Sequence, residues 1–340
     1  MKEKFVVEGK LAAICKYGEN AWQPDAGLYV VDRDDPLSLG NFKVIEGSEP
    51  SYNNICDLDR LLQTVTHIAA AWPGEEFAIA VGVKHGNPCG AAFGIASEPE
   101  EVASRMMTGD SRAIFGGSVI MNFPCTADVA DRLLIGGRPA LDTIIAPEID
   151  KKAIEWLARK GGKCRFMVNP ALAGLSAESL DKKQRFRYVR GGVLAQPNYG
   201  FVLSFEHSDL KVYGKRSENH EDDLRLAWAV GSTSNSNTVT LVKDRMLIGN
   251  GVGQQDRVGA AELAIKRARD AGHSTDGSVA YSDSFFPFAD GPAALIASGI
   301  KAILSTSGSV NDVKVQALCQ AADVTLYQLP DKIARGFFGH

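Results

Sequence analysis

Apolar and polar positions come in short alternating blocks along this chain, and the block lengths alternate between strand and helix. "EFAIAVGV" (76–83) is a short apolar run that predicts a buried strand. "EPEEVASRMMTG" (98–109) predicts an amphipathic helix with acids in its first turn. "AIFGGSVIMN" (113–122) reads as a strand, "TADVADRLLIGG" (126–137) as a helix with Thr126 as N-cap, and "LDTIIAPEI" (141–149) as a strand. "DKKAIEWLARKGG" (150–162) predicts a helix closed by Gly161, and "CRFMVN" (164–169) another strand.

The second half uses the same grammar. "NTVTLVKDRMLIGNG" (237–251) predicts a hairpin, and "RVGAAELAIKRARDAGH" (257–273) a helix with Ala261, Ala264, Ala268 and Ala271 along one face. "GSVAYSD" is a strand; "DGPAALIASG" is a short helix with Pro292 in its first turn and Gly299 past its end. "KAILST", "SVNDVKVQALCQAAD" and "VTLYQL" continue as strand, helix, strand. The fold class is therefore α/β, as a duplicated unit. The expected boundaries are a first subdomain over 1–205, a polar connection "EHSDLKVYGKRSENHEDD" over 206–223, and a second subdomain over 224–340.

Composition narrows the function. With 340 residues, 45% hydrophobic and 23% charged, and a net charge of −4, there is no overall basic field for nucleic acid or an anionic membrane. The N-terminus "MKEKFVVEGKLAA" has no apolar signal region, and no window reaches the ~18 apolar residues of a membrane span. The six cysteines contain no C-x-x-C and the histidines are scattered. That spacing favours reduced thiols in a cytoplasmic protein and offers no zinc site.

"KHGNPCG" (84–90) carries the sharpest chemistry. His85 followed by Pro88-Cys89 is half of the deaminase signature, but Asn87 stands where a glutamate is needed and Ala92 where a second cysteine is needed. Without a metal, a Lys84-His85 pair can divide labour: imidazole takes a proton and ammonium steadies an oxyanion. A capped loop histidine and a solvated lysine account for the same letters about equally well. "SDSFFPFADG" puts Phe285, Phe286 and Phe288 on a rigid ledge before Asp290 at a helix start. That suits a flat heterocycle, or simply an aromatic staple and a cap. "GNGVGQQDR" (249–257) leads three glycines to Arg257, an anion or carbonyl site. Its spacing and its place after a hairpin exclude the dinucleotide fingerprint. Lys16, Tyr17, Asn53 and Asn54 suit a phosphate or sugar, and equally suit turn and cap roles.

In order along the chain, "KYGEN" (16–20), "SYNN", "KHGNPCGAA", "FGG" (115–117), "RGGVLAQ" (190–196), "SNTV", "GQQDR", "SDSFFPF" and "SGS" (307–309) resemble the transformylase half of the AICAR transformylase/IMP cyclohydrolase family. The resemblance runs from about residue 16 to the end. It implies two cytidine-deaminase-like subdomains (three-layer α/β/α units) without zinc, and an intertwined homodimer with active sites at the subunit interface. The implied reaction transfers formyl from 10-formyltetrahydrofolate to the 5-amino group of AICAR, giving FAICAR in IMP biosynthesis. It places the catalytic base on His85 and the transition-state lysine on Lys84. Substrate contacts fall on Lys16, Tyr17, Gly116, Asp142, Asn237, Phe285 and Arg335, and folate contacts on Arg257, Asp290, Ser309 and Val310. A monovalent cation is left open.

Four places depart from the family pattern. Lys16 replaces an arginine, "NAWQ" replaces N-P-H-Q, Asn235 replaces a lysine, and the tail reads "RGFFGH". The chain starts at the transformylase boundary, so ring closure to IMP is not expected of it alone. Two alternatives stand beside the main expectation: a paralogue acting on another amino-imidazole, and a non-catalytic purine- or folate-binding protein.

Overall fold

In a computed structural model that describes residues 5–339, the chain opens with an antiparallel pair, β1 (Lys10–Ile14) and β2 (Gly27–Val30). The first repeating unit follows: β3 (Lys43–Glu46), α1 (Tyr52–Ala70), β4 (Phe77–Lys84), β5 (Asn87–Ile95), α2 (Pro99–Gly109), β6 (Ser118–Met121), α3 (Ala127–Arg132), β7 (Thr143–Ala146), α4 (Lys151–Leu157) and β8 (Arg165–Val168). A separate hairpin, β9 (Gln184–Val189) and β10 (Gly192–Pro197), stands between the units. The second unit is β11 (Lys211–Tyr213), α5 (Glu218–Gly231), β12 (Val239–Lys243), β13 (Met246–Gly251), α6 (Arg257–Asp270), β14 (Val279–Ser282), α7 (Asp290–Ala297), β15 (Ala302–Ser307), α8 (Asp312–Ala321) and β16 (Thr325–Pro330), with α9 (Asp331–Ala334) closing the chain.

Twelve strands form one sheet in the order β11-β16-β15-β14-β12-β13-β5-β4-β6-β7-β8-β3. Read outward from the β13–β5 seam, the two sides are the same. Each has a hairpin, an antiparallel neighbour, two parallel strands and an antiparallel edge strand. The duplicated grammar of the sequence is thus a duplicated topology. At the seam Met246 pairs antiparallel with Ala92, so the two hairpin turns, 85–86 and 244–245, point to opposite ends of the sheet.

Period-2 alternation places the core on both faces. On one face Ile79, Val81 and Val83 of β4 pack with Leu58 and Val65 of α1, and with Leu224 and Trp228 of α5, in a core shared by both units. On the other face each unit keeps its own: Ala78 and Ala80 against Val102 and Met106 of α2, and Leu241 against Ala260 and Ala264 of α6. Helices on both faces give three layers. Glycines allow the closest approach of helix to sheet: a Cβ at Gly249 would lie 2.3 Å from the Ala264 carbonyl oxygen, and one at Gly90 2.4 Å from that of Met106.

Several expected boundaries move. Residues 113–117 are not strand; the chain turns there, with Gly116 at φ +71°, before β6 begins. Thr126 does cap α3, accepting from the Val129 amide, but the helix ends at Arg132, and Ile135 and Arg138 then close a separate tight turn over Gly136 and Gly137, both at positive φ. α4 stops at Leu157, well before Gly161. The polar stretch 206–223 is more than a connection: it holds the edge strand β11 and the first turns of α5. Several of its charges are engaged: Glu206, Arg216, Glu221 and Asp222 form ion pairs. Arg216 meets Glu221 at 2.6 Å, and Asp223 is buried against main-chain amides. Met1–Lys4 and His340, the outermost ends of the expected subdomains, lie outside the described residues.

Candidate functional site

The residues singled out in the sequence gather into two clusters. The first is built around the start of α1. Ser51 and Asn54 form a reciprocal capping box there, which fixes the helix entry. The 16–17 segment is strapped across that entry: the Tyr52 amide donates to the Tyr17 carbonyl at 3.2 Å and the Lys16 amide to that of Pro50 at 3.4 Å. The turn between β4 and β5 sits beside it. His85 (φ +52°) and Gly86 (φ +69°) are both left-handed, the pattern of a two-residue hairpin turn. The Gly86 amide donates to Asp57 Oδ1 at 2.8 Å. Lys84, half-buried, donates from Nζ to the Phe115 carbonyl at 2.5 Å, while His85 is exposed. The same turn of chain carries Gly116, whose amide donates to the Ala140 carbonyl at 2.9 Å. Asp142 follows it, paired with Arg159.

Lys84 and His85 open onto a cleft of about 670 Å³ whose walls include Asn87, Asp110, Arg112 and Arg267. Arg267 is held by Asp110 at 3.1 Å. Burial pushes the Asp57 carboxyl up to about 6; the Gly86 amide and then His85 act in the opposite direction. Among the described residues no group of three or more His, Cys, Asp or Glu side chains is arranged to hold a metal.

The second cluster lies at the C-terminal ends of β14 and β15, where open α/β sheets place ligands. Asp283, fully buried, is its hub. It accepts from Ser236 Oγ at 2.6 Å, from the Thr238 amide at 3.0 Å and from Arg257 Nη2 at 3.4 Å. Burial raises its carboxyl above the ordinary range, opposed by Ser236 and then Arg257. Arg257 and Arg335 flank the Phe285 ring at 5.9 and 5.8 Å from its centre. Arg335 is steadied by Asp331, which also accepts from Ser284 and Thr306. Asn237 exchanges main-chain bonds with Gln254 and donates a side-chain bond to it at 2.9 Å, which ties "SNTV" to "GQQDR". The Ser309–Asn311 loop is tied to the aromatic ledge, with Asn311 Nδ2 donating to the Pro287 carbonyl at 2.7 Å. Val310 is 98% exposed and Phe288 63% exposed; Phe286 is buried in the core. Asp290 accepts from the Gly291 amide at 2.8 Å at the start of α7.

All thirteen expected site residues therefore fall in one cluster or the other. Among the described residues, no hydrogen bond or ion pair joins a member of the first set to a member of the second. Sequence reasoning missed Asp57 and Asp283. Asp57 is one carboxylate in "CDLD", and only the fold brings it to a turn 29 residues away. Asp283 was visible inside "SDSFFPF", but a buried hub cannot be told from a cap by spacing alone.

The family described as AICARFT/IMPCHase bienzyme matches residues 1–267. The chain belongs to that family. Similar proteins include the Bifunctional purine biosynthesis protein PurH of Persephonella marina, 32% identical over 319 residues, covering 92% of this chain and 57% of that protein. The protein of the same name from Brucella ovis is 33% identical over 320 residues, with 92% and 56% covered, and that of Oceanobacillus iheyensis is 33% identical over 327, with 95% and 59% covered. The chain thus spans a little over half the length of these curated relatives.

Proposed function

We propose that this chain is an AICAR formyltransferase that uses 10-formyltetrahydrofolate. The observation that carries the reading is the Lys84–His85 turn, presented at the mouth of a cleft by a two-residue hairpin and tied down on both sides. The amine of AICAR is conjugated into its ring and is a poor nucleophile, so attack must be coupled to proton removal. The exposed His85 imidazole takes that proton as nitrogen attacks the formyl carbon, and returns a proton to the folate nitrogen as the carbon–nitrogen bond breaks. The Lys84 ammonium faces the alkoxide formed between those steps. Lys16, Tyr17, Gly116 and Asp142 hold the nucleotide on this side. On the other, Phe285 with Asn237 and Arg335 receives the substrate base, and Arg257, Asp290, Ser309 and Val310 receive the folate.

Two clusters without a direct bond between them fit a composite site completed across a homodimer. The β9–β10 hairpin, which exposes Tyr188 and Leu194, suits such an exchange of arms. The repeated unit supports the cytidine-deaminase-like reading of each half. A cytoplasmic place goes with this function; no described helix is long and apolar enough to cross a membrane.

A second reading, a paralogue acting on an amino-imidazole without a 5′-phosphate, is favoured by Lys16 alone. One assay separates the readings: folate-dependent formylation of AICAR and of its dephosphorylated nucleoside, with wild type and His85→Asn, since asparagine tolerates the left-handed backbone. Turnover of AICAR lost by 10²–10⁴-fold in the variant supports the first reading. Preference for the nucleoside supports the second, and binding without turnover points to a non-catalytic binder.

A further inference from the structure

The two units share a device at their hairpin turns. In the first, Asp57 on α1 accepts the Gly86 amide at 2.8 Å, and Lys84 donates to the carbonyl of Phe115, three residues before β6. In the second, Asp223 on α5 accepts the amides of Arg245 and Asp244 at 2.7 and 3.0 Å. There Lys243 donates to the carbonyl of Asp276, three residues before β14, at 2.6 Å. Both turns place two successive residues at positive φ: 52° and 69° at His85 and Gly86, 52° and 62° at Asp244 and Arg245. A non-glycine residue there is strained and must be held by its surroundings. The helix carboxylate is what holds it in each unit.

The units differ in what the turn carries. The second has an arginine engaged with Asp222 at 3.0 Å. The first has the lysine–imidazole pair at a cleft. Asp57 is half-buried where Asp223 is buried, and it spends one oxygen on the turn where Asp223 spends two. Burial works against the Asp57 charge, yet the site retains a carboxylate there, within the electrostatic reach of His85.

We propose that Asp57 is a positioning residue of the formyl-transfer site, fixing the backbone of the Lys84–His85 turn through the Gly86 amide. This rests on the function proposed above. A displacement of about 1 Å at a catalytic group can cost ~10²-fold in rate, which is the effect a loosened turn would have.

The test compares Asp57→Ala, Asp57→Asn and Asp223→Ala with wild type. Expected for Asp57→Ala is a fall in kcat of about 10²-fold with KM for both substrates changed by less than about threefold. Asparagine keeps an acceptor for the Gly86 amide, so Asp57→Asn should recover kcat to within about fivefold of wild type. Asp223→Ala, the same lesion at the opposite end of the sheet, should lower Tm comparably and leave kcat unchanged. Amide hydrogen exchange at Gly86 is read in parallel and needs no substrate; it should quicken at least tenfold in Asp57→Ala only.

Equal kcat losses in Asp57→Ala and Asp223→Ala, no recovery in Asp57→Asn, or unchanged exchange at Gly86 would each overturn the proposal. A wild type inactive on AICAR would instead overturn the functional reading, and Gly86 exchange would still decide whether Asp57 holds the turn.

Discussion

Arg257 reaches Asp283 at 3.4 Å, and the carboxylate it meets has no exposed surface at all. The pair joins the first turn of α6 to the end of β14 directly beneath Phe285. Replacing Arg257 with methionine leaves Asp283 with its Ser236 and Thr238 donors and, for countercharge, only Arg335, whose pull on the carboxyl is weaker than that of Arg257. We expect a loss of roughly 1.5–3 kcal/mol in denaturant unfolding, because a bond to a buried charge is the costly kind to remove. KM for the folate donor should rise as well. Unchanged stability would show that Ser236 and Thr238 alone satisfy the carboxylate.

His67 sets a pH limit on the fold. It is fully buried, bonded through Nδ1 to the Gln63 carbonyl at 2.7 Å and stacked on Tyr199. Burial lowers its pKa to about 4. Between its unfolded value near 6.5 and about 4, the unfolded chain binds the proton and the folded chain does not, so stability falls as pH falls through that window. The loss from this group should be about 2 kcal/mol between pH 7.5 and pH 5. The raised carboxyls of Asp57 and Asp223, both near 6, work the other way between about 4 and 6. Urea titrations of wild type and His67→Phe at the two pH values isolate the histidine: the variant should lose less stability on acidification.

How much of this was legible beforehand varies by kind of residue. β4 and the 239–251 hairpin were legible as near-continuous apolar runs because those strands are buried on both faces, and α2 and α6 were legible from periodicity because each buries only one side. The 206–223 stretch did not, because Asp222 and Asp223 are engaged by Arg245 and the 244–245 turn, more than twenty residues away, and such partners leave no periodic trace. Nor did β9 and β10, which have little buried surface to impose a pattern. In the candidate site, Lys84, His85, Phe285, Arg257 and Asp290 stood out by residue type within their motifs, whereas Gly116, Asp142, Ser309, Val310 and Arg335 came only from the family resemblance. Asp57 and Asp283, which hold other parts of the protein, could be found only once the fold brought distant segments together.

Gly249 should not tolerate a methyl group. An added Cβ would sit 2.3 Å from the Ala264 carbonyl oxygen, where neither the helix backbone nor the central strand can yield cheaply. Gly249→Ala is expected to cost about 1–3 kcal/mol by overpacking. Thermal unfolding measures it, and a wild-type Tm would mean that α6 shifts freely on the sheet.

Lys16→Arg tests the phosphate side. The residue is exposed and its backbone is already fixed at Pro50, so the change should leave stability within about 0.5 kcal/mol. A guanidinium can meet a phosphate with two parallel bonds, so KM for AICAR should fall several-fold with kcat little changed. If KM rises, position 16 does not face the phosphate.

The matched turns also give a protein engineer an unusual chassis. Residues 244–245 already have the backbone bend, the supporting helix carboxylate and the anchored lysine that surround His85, on the far end of the same rigid slab. Writing histidine and glycine into those two positions would install a second imidazole in a prepared seat, where directed evolution could shape a new reaction while the original one runs undisturbed.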